Sequence, residues 1–255
     1  MTKVQDIFQA LCVRAPLELQ MDFDNSGFLL GYADAPVSRV LLALDVTDEV
    51  IDEAVQTGAQ LIVSHHPLIF FPLKSVTDGS AEGRRVLKLI EHHIAVISMH
   101  TNLDIAVGGV NDVLLASLGA QMLEPLDADG CGRVGLLQEE MPMQDFLKLC
   151  KAALHCVGLR YVEVGRPVRK IAVMGGSGAD SIDRAADLGC DTFVTADIKY
   201  HQFQKALDRG INLIDADHFS TENPVIPDLA KRLGGMFPDV AFVPSALHHP
   251  IIRFA

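Results

Sequence analysis

The sequence predicts an α/β fold made of two related α/β units, and three observations predict it. Short apolar runs of strand length alternate with helix-period segments, the alternation recurs at βαβ spacing, and one half of the chain realigns on the other. In order along the chain, residues 39–44 (RVLLAL) form a buried-strand run. Residues 47–58 come next as an amphipathic helix closed by Gly58, and residues 61–64 (LIVS) form the next strand, completing a βαβ unit. A helix over 81–92, a strand over 94–99 (IAVISM) and a helix over 111–118 closed by Gly119 continue the alternation. Residues 124–169 contain a PLDADG turn, a short apolar stretch and a helix over 143–154, and read as a connector. This divides the chain into 1–124 for the first unit and 125–255 for the connector and second unit, with the C-terminal segment able to pack back on the first.

The realignment has no gaps in the register that lays Ile182 over Ile51. LDVTDEVIDEAVQTGAQLIVSHH then covers GGSGADSIDRAADLGCDTFVTAD, matching Asp52 with Asp183, Ala54 with Ala185, Gly58 with Gly189 and Val63 with Val194. Further on, residues 94–97 resemble 211–214, and LASLG at 115–119 resembles LAKRLG at 229–234. Internal duplication explains this likeness; so does the general similarity of any two βαβ units.

Size and charge exclude several classes. The 255 residues suit one large domain or two modest ones, and 49% hydrophobic and 21% charged residues with a mean hydropathy of +0.25 exclude a disordered or fibrous chain. With 21 lysines and arginines against 33 aspartates and glutamates, the net charge of -12 repels a polyanion, so nucleic acid is not expected as a partner. No apolar run reaches the roughly 18 residues that a bilayer requires, and the first residues (MTKVQDIFQAL) have an amphipathic rather than a leader-like pattern, so a cytoplasmic location is expected. Five cysteines, Cys12, Cys131, Cys150, Cys156 and Cys190, form no C-x-x-C pair and sit mostly among apolar neighbours, as small hydrophobes in a reducing compartment do.

The residues that carry chemistry stand at predicted strand ends. His65-His66-Pro67 comes after the LIVS strand, where Pro67 stops the ladder, and two adjacent imidazoles converge only if the chain turns there. His100 and Asp104 come after the IAVISM strand, and Asp217-His218 with Glu222 after the INLI strand. A helix capped at or near Thr221 would place Glu222 in its first turn. His65, His66, Asp104, His218 and Glu222 are three nitrogens and two carboxylates, one ligand too many for a tetrahedral ion and about right for two ions sharing a carboxylate. By spacing alone, scattered histidines in polar loops fit equally well. His248-His249-Pro250 has no carboxylate nearby in sequence and reads as a surface or interface pair, and His92, His93 and His155 read as structural. Gly175-Gly176-Ser177-Gly178 lacks the lysine of a phosphate loop and reads as a tight turn that an anion could share.

At these residues the chain resembles the Nif-three-like dinuclear-metal family, the GTP cyclohydrolase I type 2 homologues, nearly end to end. The resemblance is carried by Asp24-Asn25-Ser26-Gly27, His65-His66-Pro67-Leu68-Ile69-Phe70, Pro72-Leu73-Lys74-Ser75, His100-Thr101-Asn102-Leu103-Asp104, Gly108-Gly109 with Asn111-Asp112, Gly175-Gly176-Ser177-Gly178, Lys199-Tyr200-His201, and His218-Phe219 with Thr221-Glu222. It implies that His66 and Asp104 hold one metal ion, His65 and His218 the other, and Glu222 bridges them. It also implies two related α/β units and a homohexameric ring. The chain departs from the family at Phe23, a usual tryptophan, at Phe71, a frequent lysine, and at Asp217, a usual glycine, where the carboxylate would add charge near the site or orient His218. The function expected from the resemblance is a divalent-metal-dependent hydrolase opening the ring of a nucleotide such as GTP. His100 is the candidate for proton transfer, and zinc, iron, manganese and nickel all suit the ligand types. A metal-binding or metal-delivery protein, an interaction scaffold and a dimetal phosphoesterase are the competing readings.

Overall fold

The computed structural model describes residues 1–253. It divides into two compact units, residues 1–106 with 226–249 and residues 107–225 with the segment from Pro250, each organised around its own mixed sheet.

The first unit opens with α1 (Val4–Arg14), followed by β1 (Gly27–Leu30), β2 (Arg39–Ala43), α2 (Asp48–Thr57), β3 (Leu61–Ser64), α3 (Ala81–Glu91), β4 (Ala95–Ser98) and the short α4 (Thr101–Ile105). Its strands lie in the order β1-β4-β3-β2, with β2, β3 and β4 parallel and β1 antiparallel to β4. Nearly every residue of β2, β3 and β4 is buried, because a parallel sheet covered on both faces needs continuous apolar runs rather than alternation. Local signals set the helix ends. Thr47 accepts a hydrogen bond from the Val50 N–H at 3.2 Å to start α2, and Gly58, at φ 67°, ends it in the left-handed conformation. The apolar face of α2 (Val50, Ile51, Ala54) then packs on Leu41, Ile62 and Val96 of the sheet and on Val86 and Leu89 of α3.

The second unit contains α5 (Val110–Ser117), β5 (Ala120–Pro125), β6 (Arg133–Met141), α6 (Met143–Ala153), β7 (Arg160–Val162), β8 (Val168–Val173), α7 (Ile182–Asp187), β9 (Thr192–Thr195), α8 (Tyr200–Asp208), β10 (Asn212–Asp215) and α9 (His218–Glu222). The strand order is β5-β6-β8-β9-β10-β7, with β8, β9 and β10 parallel and β7 antiparallel to β10. Phe146, Leu147 and Cys150 of α6 pack with Ile171, Val173, Val194 and Ile214 in its core. After α10 (Val225–Met236), β11 (Ala241–Pro244) pairs in parallel with β2 and extends the first sheet.

Two expectations change here. The segment 124–169 is not a bare connector: it supplies the end of β5 and all of β6, α6 and β7. The expected boundary after Glu124 moves to Ala106, because β5 zips onto β6 and cannot belong to the other sheet. A weak strand signal explains the miss. β5 is largely exposed, and β6 loses its apolar alternation at Glu139 and Glu140.

No helix among the described residues is long and apolar enough to cross a membrane. Cys131, Cys150, Cys156 and Cys190 are buried and Cys12 is partly exposed. Burial pushes the Cys156 and Cys190 thiols from their ordinary 9.0 up to about 11, and raises Cys150 as well. Burial raises Cys12 too, but it alone is partly exposed, so a thiol reagent at pH 8 should label Cys12 in the native protein and the other four only after denaturation. Because unfolding returns Cys156 and Cys190 to the ordinary value, they favour the folded state below pH 9 and that contribution falls away as pH rises toward 11. Rapid modification of more than one thiol in the folded protein would contradict this.

Candidate metal centre

In the first unit, three neighbouring parallel strands release their chemistry at their carboxyl ends, where side chains escape the sheet. Asp45 comes after β2, His65 and His66 after β3, and His100 after β4. The β2–β3 ladder continues one step beyond the strands, through His65 N–H to Ala43 O (3.2 Å) and His66 N–H to Leu44 O (2.8 Å). The two rings nonetheless lie 4.9 Å apart, and each is within 5.5 Å of the His100 ring. One nitrogen from each of His65, His66 and His100 falls within 4.8 Å of the others, a grouping that could hold a metal ion. Asp104, on α4, brings Oδ1 to 3.7 Å from His65 Nε2.

The hydrogen bonds on the opposite side of each ring decide its tautomer. His65 Nδ1 lies 2.8 Å from the Met99 carbonyl oxygen. A carbonyl only accepts, so His65 carries its proton on Nδ1 and presents a basic Nε2. His66 Nδ1 meets Asp45 Oδ1 at 2.8 Å and His100 Nδ1 meets Asp24 Oδ1 at 2.7 Å, with the same outcome. Burial alone would raise the Asp24 carboxyl. Hydrogen bonds from His100 and Thr101, the His100 charge and the Ser26 hydroxyl outweigh it and hold the group well below the usual carboxylate range. Asp45 is likewise held low: burial opposes ionisation, and hydrogen bonds from His248 and His66 overcome it.

The second unit repeats the device. His218 and Glu222 stand one turn apart on α9, with Nε2 and Oε2 3.2 Å apart, and Asp197 after β9 binds His218 Nδ1 at 2.7 Å. Burial would lower the His218 imidazole, but Glu222 and Asp197 on its two nitrogens push it up to about 9. Gly176, at φ 63°, lies against this pair. A Cβ there would stand 2.3 Å from Glu222 Oε1 and 3.1 Å from His218 Cε1. Gly175 also lies against Glu222, its N–H donating to Asn111 Oδ1 at 2.9 Å. The N–H groups of Gly176 and Gly178 donate to the Thr221 and Thr195 hydroxyls, which fixes the loop as a glycine cradle for the acid–imidazole pair.

A family profile described as Duf34/NIF3 (NGG1p interacting factor 3) matches residues 2–250. A Clostridium perfringens protein named GTP cyclohydrolase 1 type 2 homolog is 36% identical over 95% of this chain and 96% of its own length. The chain belongs to the Duf34/NIF3 family. A Bacillus cereus protein related to NIF3 superposes with a TM-score of 0.92 at 28% identity, covering 100% of this chain and 99% of that one. A Staphylococcus aureus hypothetical protein gives a TM-score of 0.92 at 30% identity, covering 99% of both.

Within this NIF3 family chain, the structure brings His65, His66, His100 and Asp104 together in the first unit and His218 with Glu222 in the second. Asp104 stands beside His65. Three sequence readings change. Glu222 ends α9 instead of beginning the next helix, because Asp217 caps α9 through the Ser220 N–H at 3.2 Å and Pro224 lies in the turn beyond. Asp217 therefore does not orient His218; Asp197 does. Asp217 has φ 65°, which accounts for the glycine usual there. Finally, His248 is no surface residue. Its ring is buried and its Nε2 lies 3.0 Å from Asp45 Oδ2, a carboxylate 203 positions away in the chain. Sequence reasoning does not mark Asp24, Asp45 or Asp197 as orienting acids. Asp197 has a readable signal, since the internal realignment places it over His66.

Proposed function

We propose that the protein is a divalent-metal-dependent hydrolase with a dinuclear centre held by the five ligands the resemblance implies, His65, His66, Asp104, His218 and Glu222, with Glu222 as the shared carboxylate. The observation that carries this reading is the second set of hydrogen bonds. The rings of His65, His66 and His218 are each held through Nδ1 by a carbonyl or carboxylate, which directs Nε2 to a cation, and this is how proteins prepare imidazole ligands. Gly176 supports it, since the space a side chain would fill is kept clear beside Glu222 and His218. Zinc, iron, manganese and nickel all suit the imidazole and carboxylate donors.

Bound ions would supply an acidified water and neutralise charge developing on the substrate. The remaining work falls to the chain. His100, its Nδ1–H held by an ionised Asp24, presents Nε2 as a proton acceptor. The substrate class we propose, a purine nucleotide opened with release of formate, rests on the name carried by the relatives and on the family resemblance. The same resemblance supports a homohexameric ring and an origin by internal duplication. Each unit, taken alone, carries a parallel strand triplet flanked by one antiparallel strand beside its third member.

Purified protein should bind two ions per chain by elemental analysis, elute at the mass of a hexamer, and release formate from GTP with at least one of the four metals. Glu222→Ala should lose metal and activity together, and His100→Ala should lose turnover by about 10²–10⁴-fold while keeping its metal. Stoichiometric metal with neither formate nor phosphate released from nucleotides would replace this reading by a metal-binding one. Phosphate without formate would make the protein a phosphoesterase.

A further inference from the structure

The C-terminal end of the first unit reaches back to a proposed metal ligand through a chain of hydrogen bonds whose directions are forced. Glu53, on α2, is buried, and its carboxylate accepts from the Ser245 hydroxyl, the Ala246 N–H (2.9 Å) and the Leu247 N–H (3.2 Å). Ser245 in turn extends the β11–β2 ladder through its N–H to Leu42 O (2.7 Å) and accepts the His248 N–H at 3.1 Å. The turn so pinned delivers the His248 ring to Leu44 and Asp45. The Leu44 N–H can only donate, and it points at His248 Nδ1 (3.3 Å), so the His248 proton is on Nε2 and is donated to Asp45 Oδ2 (3.0 Å). The other oxygen, Oδ1, accepts from His66 Nδ1 (2.8 Å).

A carboxylate can accept on both sides, and an amide cannot. We propose that His248 is a positioning residue: locked as an Nε2 donor, it requires position 45 to accept on both oxygens, and so holds His66 in the Nδ1–H tautomer with Nε2 unprotonated. The tautomer follows from this unit's geometry alone. Its consequence for metal rests on the function proposed above.

The requirement makes an unusual prediction for Asp45→Asn. With His248 donating, the side-chain carbonyl of the new amide must turn toward His248, which aims its NH2 at His66 Nδ1. That nitrogen must then accept, and the His66 proton moves to Nε2, where it blocks a ligand. Removing the constraint with His248→Leu lets the amide rotate and present its oxygen to His66 again. The experiment is imidazole 15N spectroscopy of the metal-free full chain, with Co²⁺ titration of the same samples. Wild type should show Nε2–H for His248 and Nδ1–H for His66. Asp45→Asn should switch His66 to Nε2–H and weaken Co²⁺ about 10–100-fold. The double variant Asp45→Asn/His248→Leu should restore the Nδ1–H tautomer and recover most of the affinity, which no loss of packing could do.

A double variant as impaired as Asp45→Asn, or an Asp45→Asn protein whose His66 keeps its proton on Nδ1, overturns the proposal. If Asp45→Asn does not fold, the wild-type spectrum still decides, because Nδ1–H on His248 or Nε2–H on His66 overturns it equally. Wild type that takes no Co²⁺ but shows the expected tautomers refutes the metal reading and leaves the role of His248 standing.

Discussion

Gly176→Ala is expected to lower thermal stability and to cripple metal binding, and Gly58→Ala is the control that separates the two causes. Both glycines sit at positive φ, 63° and 67°, so both variants bear the same left-handed backbone cost of about 1–2 kcal/mol. Around Gly58 nothing lies within 4 Å of an added Cβ. At Gly176 the added carbon would stand 2.3 Å from Glu222 Oε1 and about as close as contact permits to the His218 ring, so either the loop or the carboxylate must move. The loop is poorly placed to yield, because the Gly176 N–H and carbonyl are both engaged, with Thr221 and Ala196. Gly58→Ala should therefore shift the melting temperature modestly and leave metal titrations unchanged, while Gly176→Ala melts lower still and binds at least tenfold more weakly, the scale on which disturbed ligand supports are felt. Equal behaviour of the two variants in calorimetry and metal titration would show that the glycine cradle has no bearing on Glu222.

Asp112→Ala should be strongly destabilising to the second unit. Arg133, in β6, is buried and pairs with Asp112 of α5 while donating to the Gly130 and Gly132 carbonyls at 2.7 and 2.8 Å. Asp112 also accepts from the Gly108 N–H, tying the GG-x-ND motif into one turn. Removing the acid takes the paired carboxylate from a buried guanidinium, and breaking such a pair from one side loses about 3–5 kcal/mol, whereas exchanging both partners for apolar residues costs far less. In urea titrations the Asp112→Leu/Arg133→Met double variant should thus be more stable than Asp112→Ala. Asn111, one residue earlier, holds Gly175, so the single variant should also loosen the loop beneath Glu222. A single variant within about 1 kcal/mol of wild type would refute the pairing as a source of stability.

The legible part of the site was its proposed ligands together with His100. His65, His66, His100, Asp104, His218 and Glu222 stand in short polar segments just after apolar runs, and a strand that stops at its carboxyl end exposes the residues next in the chain. The orienting acids were less visible. Asp45 lies in an unremarkable LDVT segment, and its partner His248 is brought to it only by β11 pairing with β2, a contact between distant stretches that no local pattern records. Asp24 needed β1 to pair antiparallel with β4 before its carboxylate met His100. β5 and β6 were missed for a related reason: their stability comes from the neighbours they pair with, and their own residues carry little alternation.

From the order of its residues alone this protein was set as an α/β chain of alternating elements, with its acids and imidazoles parked after the strands, because periodicity and helix caps act over a few neighbouring positions. Which acid serves which imidazole, where each ring keeps its proton, and which glycine must stay bare were decided only by tertiary structure. Those outcomes depend on hydrogen bonds reaching across the sheet, and a hydrogen bond has a direction that spacing in a sequence does not encode.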